Sequence, residues 1–230
     1  MKTESQMSKL EIIHENKDYI VVNKASGLIS EKSPYEAVTV EDQVFQHILK
    51  SKRKPYVGII HRLDRVTSGV LILAKKKSIL VAFNKLFSSR KVQKTYLAIV
   101  KNKPTKSKGN LVNFLIKNNK EKKAEIVTTK SKEAQSCMLS YEVIGKNNIG
   151  YLLAVKPKTG RFHQIRAQLA NIGLPIVGDS KYGSDVSYKS LSICLHAWKL
   201  TFEDVETKEQ KTFEASLPNH DFWKFDTEVI

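Results

Sequence analysis

Short apolar blocks separated by polar turns run through most of the chain, and helix-like spacing is confined to three stretches. Glu11–His14 and Tyr19–Val22 read as two strands joined through Asn16, Lys17 and Asp18. Asn23 to Leu28 then reads as a loop, because Ser26 and Gly27 interrupt the apolar pattern. Thr39 is placed to cap a helix, with Asp42 completing a capping box and Val40, Val44, Ile48 and Leu49 supplying the apolar stripe. The unbroken run Gly69–Ala74 suits a strand buried on both faces. Ser78 follows as the predicted cap of a helix with Ile79, Phe83, Leu86 and Phe87 at helical spacing. Further strands are predicted at Val92–Val100, Leu111–Lys117, Ala124–Thr129, Cys137–Ile144, Tyr151–Val155, Ser192–Phe202 and Lys211–Ala215. One more helix is predicted from Phe162 to Ile172, with Phe162, Ile165, Leu169 and Ile172 as its stripe, closed by Gly173 and kept from resuming by Pro175. Strands outnumber helices and are segregated from them, which predicts a mixed, mostly antiparallel α+β fold and argues against a regular doubly wound sheet.

Composition narrows the setting. At 230 residues and 41% hydrophobic content the chain can bury a core. The expectation is a flexible tail at residues 1–9 and a single domain over 10–230. No apolar run approaches the roughly 20 residues of a membrane-spanning helix, and Met1 to Leu10 lacks the apolar stretch of a signal peptide. Cys137 and Cys194 stand far apart with no paired spacing, so neither a disulfide framework nor a zinc site is indicated. A cytoplasmic protein with no metal and no membrane partner is expected.

Charge adds a partner. Lys+Arg of 39 against Asp+Glu of 23 gives a formal net charge of +16, and ten lysines lie between Lys101 and Lys132 against only Glu121 and Glu125. Any one lysine can be a solvated surface residue, but the total excess favours a polyanion such as nucleic acid. A basic surface by itself does not separate an enzyme from a binder.

Two constellations carry candidate chemistry. In His61-Arg62-Leu63-Asp64-Arg65-Val66-Thr67-Ser68-Gly69, one acid and two arginines lie between the apolar stretch Val57–Ile60 and the buried strand. A carboxylate held there needs a partner to stay charged, and Arg62 or Arg65 would make it a plain salt-bridged loop. Thr67, Ser68 and Gly69 suit a tight turn with backbone N–H groups free for an anion. In Lys158-Thr159-Gly160-Arg161-Phe162-His163-Gln164-Ile165-Arg166, basic groups collect at a helix start, with His163 and Arg166 on one face, which suits a phosphate or carboxylate as well as an ordinary polar face. Pro175 to Gly183 is a turn-rich loop whose Gly178-Asp179 and Tyr182-Gly183 pairs read as structural.

The first constellation resembles the central motif of the RluA-type pseudouridine synthases. Four other stretches are similar to that family's motifs in the expected order: Asn23-Lys24 with Gly27-Leu28, Lys94-Thr95-Tyr96, Lys158 to Arg166 with Gly173 to Gly183, and Leu195-His196-Ala197 with Leu200 and Phe202. The likeness spans roughly residues 10 to 217. It departs at Ala25, where proline is common, at Val66, where an acid is common, and at Gln168, where histidine is common.

The resemblance implies isomerisation of uridine in 23S-type rRNA or in tRNA, by base flipping and without a metal or organic cofactor, in a protein expected to be a monomer. It implies a pseudouridine synthase-like fold: a predominantly antiparallel mixed sheet in two continuous halves with flanking helices and the active cleft between the halves. Asp64 would be the catalytic carboxylate, acting either as a nucleophile at the ribose C1′ or as a base at C2′. Arg166 would pair with it and keep it charged, Tyr96 would stack on the target base and assist proton movement at C5, and Arg62 would enter the space the base leaves. His61 and His163 would support and orient, while Arg65, Thr67, Lys94, Arg161 and Leu195 complete the expected RNA-contacting set. Relatives commonly carry an S4-type domain ahead of this region, and with only about ten residues before the first strand it is expected to be absent. The alternative is a non-catalytic RNA-binding or ribosome-assembly protein on the same scaffold. A glycoside-cleaving carboxylate pair is disfavoured, since no second acid accompanies Asp64 in its motif.

Overall fold

The central apolar run forms the strand Ser68–Ala74, and every one of its residues is buried. Each large aliphatic side chain there contributes about 1.5–3 kcal/mol of burial. The computed structural model describes residues 10–36 and 38–225, so the tail expected at residues 1–9 lies outside the described residues. The strands are β1 (Glu11–Glu15), β2 (Tyr19–Lys24), β3 (Gly58–Ile59), β4 (Ser68–Ala74), β5 (Gln93–Val100), β6 (Lys108–Asn118), β7 (Lys123–Val127), β8 (Gln135–Lys146), β9 (Tyr151–Pro157), β10 (Leu195–Glu203) and β11 (Gln210–Glu214). The helices are α1 (Val40–Leu49), α2 (Lys77–Ser88) and α3 (Gln164–Asn171).

The eleven strands make one sheet in the order β1-β2-β4-β10-β5-β9-β8-β6-β7, with β3 added to β4 and β11 to β10. All pairings are antiparallel except β4 with β10. That parallel seam joins the two halves. In the first half, alternation along β2 sends Ile20 and Val22 to the core under α1, and Tyr19 and Val21 to the core under α2. In the second half, Ile165 and Leu169 of α3 pack with Leu97, Leu139, Leu153 and Val155 of the sheet. The mixed α+β architecture is the one expected.

Several local expectations shift. The loop after β2 starts only at Ala25, since Lys24 still pairs with Gly69. The capping box of Thr39 and Asp42 forms, but α2 begins at Lys77 behind Lys76, with no side-chain cap, so Ser78 lies inside the helix. The last predicted helix is shorter than its spacing suggests. His163 takes a left-handed backbone, φ 50°, and stops the helix at Gln164. Phe162 and Ile172 are consequently 40% and 39% exposed, and only Ile165 and Leu169 serve as its buried stripe. The late strand starts at Leu195, because Ile193 and Cys194 bond instead to Val66 and Val177.

Candidate active site

Asp64 lies on the loop between β3 and β4, which is tied down at several points. The buried Ser30 hydroxyl accepts from the Leu63 N–H and donates to the Leu63 carbonyl, both at 3.1 Å. The Thr67 N–H donates to the Asp64 carbonyl at 3.0 Å, and Ser68 and Gly69 already belong to β4. The open anion-binding turn expected at Thr67–Gly69 is therefore absent, its residues having been taken into the turn and the sheet. Gly69 has φ 114°, and a Cβ there would come 2.2 Å from the Ala197 carbonyl oxygen. Only glycine lets β4 approach β10 this closely below the loop.

Across the loop from Asp64 stands α3. Arg166 is buried and forms a fork on Asp179, with Nε donating to Oδ2 at 2.7 Å and Nη2 to Oδ1 at 2.9 Å. Its remaining nitrogen, Nη1, donates to Asp64 Oδ2 at 3.3 Å. Bidentate geometry makes the Asp179 pair the stronger of the two. Asp179 follows Gly178, whose φ of 86° turns the chain back beneath α3. His163 Nε2 stands 3.7 Å from the same Asp64 oxygen. The Tyr182 hydroxyl accepts from the Ala124 N–H at 2.7 Å and meets His163 Nδ1 at 3.0 Å, so its own proton is free to go to Nδ1. That tautomer directs Nε2–H towards Asp64.

Burial raises the Asp64 carboxyl above the ordinary 3.8, against the opposing charge and hydrogen bond of Arg166 and the charges of Lys24 and Arg62. Arg166 was expected to pair with this carboxylate and keep it charged. With two of its nitrogens given to Asp179, it only partly offsets the loss of water. The result is a carboxylate more basic than a free aspartate, aimed by one guanidinium nitrogen.

The other expected residues divide into two groups. Tyr96, Lys94, Arg161, His61, Thr67 and Leu195 line the same cleft as Asp64, a cavity of about 740 Å³. Burial raises the Tyr96 phenol, with the Asp64 charge adding to the effect, so it stays protonated at neutral pH. Burial likewise lowers the Lys94 ammonium. His61 is pushed down to about 3 by burial, with Lys94 adding repulsion. Its neutral Nε2 accepts the Ile72 N–H at 3.3 Å, and its ring stacks on Phe87. Arg62 is at the rim, on Glu31 at 2.6 Å. Arg65 is different: it holds the Gly27 carbonyl at 3.0 Å and Glu36 at 2.6 Å, a loop-bracing arrangement outside the cleft lining. Neither arginine forms an ion pair with Asp64, each being drawn to a glutamate instead, so the simple salt-bridged loop is not what forms.

Residues outside the expected set also matter. Lys24 is fully buried and donates to the carbonyls of Ala25 (3.0 Å), Leu28 (2.7 Å) and Arg65 (3.3 Å). It locks the loop after β2 to the Asp64 loop. Asp179 and Tyr182 were read as turn residues; each sits beside a glycine within the stretch Gly173 to Gly183 that resembles a family motif, but neither was given a role. The cleft is lined by six Lys or Arg residues against Glu31 and Asp64, a balance that suits a phosphate backbone. Among the described residues, no group of three or more His, Cys, Asp or Glu could hold a metal, and no helix is long and apolar enough to cross a membrane.

Comparison with known proteins gives a consistent result. A family model described as RNA pseudouridylate synthase matches residues 18–171. The chain is 33% identical over 195 residues to an "uncharacterized RNA pseudouridine synthase" of Haemophilus influenzae, covering 85% of this chain and 83% of that one. It is 30% identical to tRNA pseudouridine synthase C of Vibrio parahaemolyticus, covering 94% and 93%. It is 35% identical to ribosomal large subunit pseudouridine synthase D of Borreliella burgdorferi, covering 90% of this chain and 65% of that one. The fold is similar to that of human RNA pseudouridylate synthase domain containing 4, with a TM-score of 0.75, 24% identity and coverage of 91% and 89%.

Proposed function

The chain belongs to the RluA-type RNA pseudouridine synthases, a family of isomerases, and from that premise we propose that it converts uridine to pseudouridine in ribosomal or transfer RNA with Asp64 as the essential carboxylate. The observation that carries this reading is the contact of Asp64 Oδ2 with Arg166 Nη1 at 3.3 Å beside a basic cleft. Two of the chain's relatives are named for tRNA and for large-subunit rRNA modification, which supports those RNA classes as substrates. Residues 10–230 are read as one catalytic domain.

In the reaction, the C1′–N1 bond of uridine breaks, a C1′–C5 bond forms, and the hydrogen on C5 passes to water while N1 regains one. Asp64 starts the exchange by attacking C1′ or by taking the C2′ proton. Both routes begin from the ionised carboxylate, and its raised basicity favours either. Tyr96 is protonated and buried in the cleft, so it contributes a stacking face and a hydroxyl relay rather than a standing base. The target base must leave its stack to reach Asp64, at a cost of roughly a few kcal/mol. Arg62 is suited to fill the gap with its planar cation. Its pair with Glu31 is largely exposed, and such pairs are worth about 0–1 kcal/mol, so RNA can displace it easily.

Incubation with RNA tritiated at uridine C5 tests the reading. The wild type should release tritium to water with the RNA chain intact, and Asp64→Ala should release none. Failure of the wild type on bulk tRNA and rRNA would favour a non-catalytic RNA-binding role. Equal release by Asp64→Ala would remove Asp64 from its assignment.

A further inference from the structure

Phe162 has helical spacing that would bury it, yet it stands outside α3, is 40% exposed and faces the cleft. We propose that Phe162 is a stacking platform for an unpaired RNA base next to the target uridine, with Lys117 and Arg161 taking the phosphates that flank that base. The assignment rests on the reading of the cleft as an RNA-isomerising site and adds a second nucleotide position to it.

The ring is pre-positioned. It lies 3.8 Å from the His163 ring, centroid to centroid, with 18° between the planes. His163 is fixed in turn by its left-handed backbone and by the Tyr182 hydroxyl. A base that stacks there therefore immobilises little that is not already still. His163 also separates the platform from Asp64, which it approaches to 3.7 Å. One aromatic ring thus stands between Phe162 and the reacting carboxylate, so a base on Phe162 is a neighbour of the target. Tyr96, carried separately on β5, remains the partner for the target itself.

Charge completes the subsite. The Lys117 ammonium lies 5.2 Å from the Phe162 centroid, a cation held by the ring's negative face. Both Lys117 and Arg161 are exposed, and Arg161 is engaged in the cleft by one long bond to the Ser136 carbonyl, 3.4 Å. An arriving base replaces the ammonium on the ring, and the lysine swings to the phosphate. Aromatic faces flanked by movable cations are the usual means of gripping unpaired bases in RNA. Stacking tolerates any base, so Phe162 selects for an unstacked neighbour rather than for a sequence.

Kinetics on C5-tritiated bulk tRNA and rRNA, with wild type, Phe162→Leu and Phe162→Trp, test this. Phe162→Leu should raise KM about tenfold at unchanged kcat, and Phe162→Trp should stay within about twofold of wild type. Matching melting temperatures would show that the fold is intact. An unchanged KM in Phe162→Leu, or a loss confined to kcat, would overturn the platform while leaving the isomerase reading standing. A second arm needs no turnover: emission of Phe162→Trp, corrected for the wild type's Trp198 and Trp223, should quench on adding single-stranded oligouridylate. No added quench would overturn the platform even if the wild type released no tritium, a result that would count separately against the isomerase reading.

Discussion

Replacing Asp179 by asparagine removes the charge that holds Arg166. Arg166 and Asp179 are 5% and 2% exposed at the side chain and share two hydrogen bonds of 2.7 and 2.9 Å. Breaking a buried pair by removing one partner costs about 3–5 kcal/mol, because the remaining charge is left in low dielectric. Asparagine can still accept one of the two bonds, and Asp64 remains at 3.3 Å, so the lower end, about 3 kcal/mol, applies. For a chain of this size each kcal/mol moves Tm by about 2–4 °C, which gives a fall of about 6–12 °C. Scanning calorimetry with matched urea titrations would measure it. Adding Arg166→Met to Asp179→Asn should recover much of the loss, since the orphaned charge leaves with the arginine. A Tm for Asp179→Asn within about 2 °C of wild type would refute the view that Asp179 anchors Arg166.

Four further outcomes are expected. The acid limb of kcat/KM should lie above the 3.8 of an ordinary aspartate, since burial raises the Asp64 carboxyl; a limb at or below that value would contradict the assignment. By the same linkage the folded chain binds this proton more readily than the unfolded one, so Asp64 costs stability at neutral pH and the cost fades on acidification; Asp64→Asn should melt no lower than wild type at pH 7. Lys24 is depressed by burial to about 7, so the folded chain gives up its proton before the unfolded chain does. Wild type should then gain stability over Lys24→Met as pH rises from about 7 to 10.5, and a pH-independent difference would show that the ammonium is not desolvated. Changing the exposed Lys120, Lys122, Lys130 and Lys132 to serine should flatten the salt dependence of RNA binding by about 0.7 per lost phosphate contact, whereas an unchanged slope would remove this edge from the RNA path.

What the sequence disclosed depended on how local the cause was. The burial of β4 and the Thr39–Asp42 cap were legible because a continuous apolar run and a three-residue reciprocal bond need no distant partner. Ser78 misled because the chain enters α2 from an extended Lys76, leaving the serine hydroxyl inside the first turn. Phe162 misled because periodicity says nothing of the left-handed step at His163 that ends the helix beneath it. Asp64 and Arg166 are 102 positions apart, and only likeness to a family brought them together. Asp179 went unread because its partner is reached through a turn, and nothing in Gly178-Asp179 distinguishes an anchor from an ordinary loop acid. Sequence could propose a carboxylate with an arginine, but not that the arginine is shared with Asp179 or that burial makes the carboxylate more basic.

The most direct test is a transcriptome-wide pseudouridine map of cells with the gene deleted, complemented by wild type or by Asp64→Asn. Deletion is expected to erase one or more sites in tRNA or rRNA, wild type to restore them, and Asp64→Asn to restore none while accumulating as folded protein. Full pseudouridylation in the deletion strain, or restoration by Asp64→Asn, would contradict Asp64 as the carboxylate that isomerises uridine.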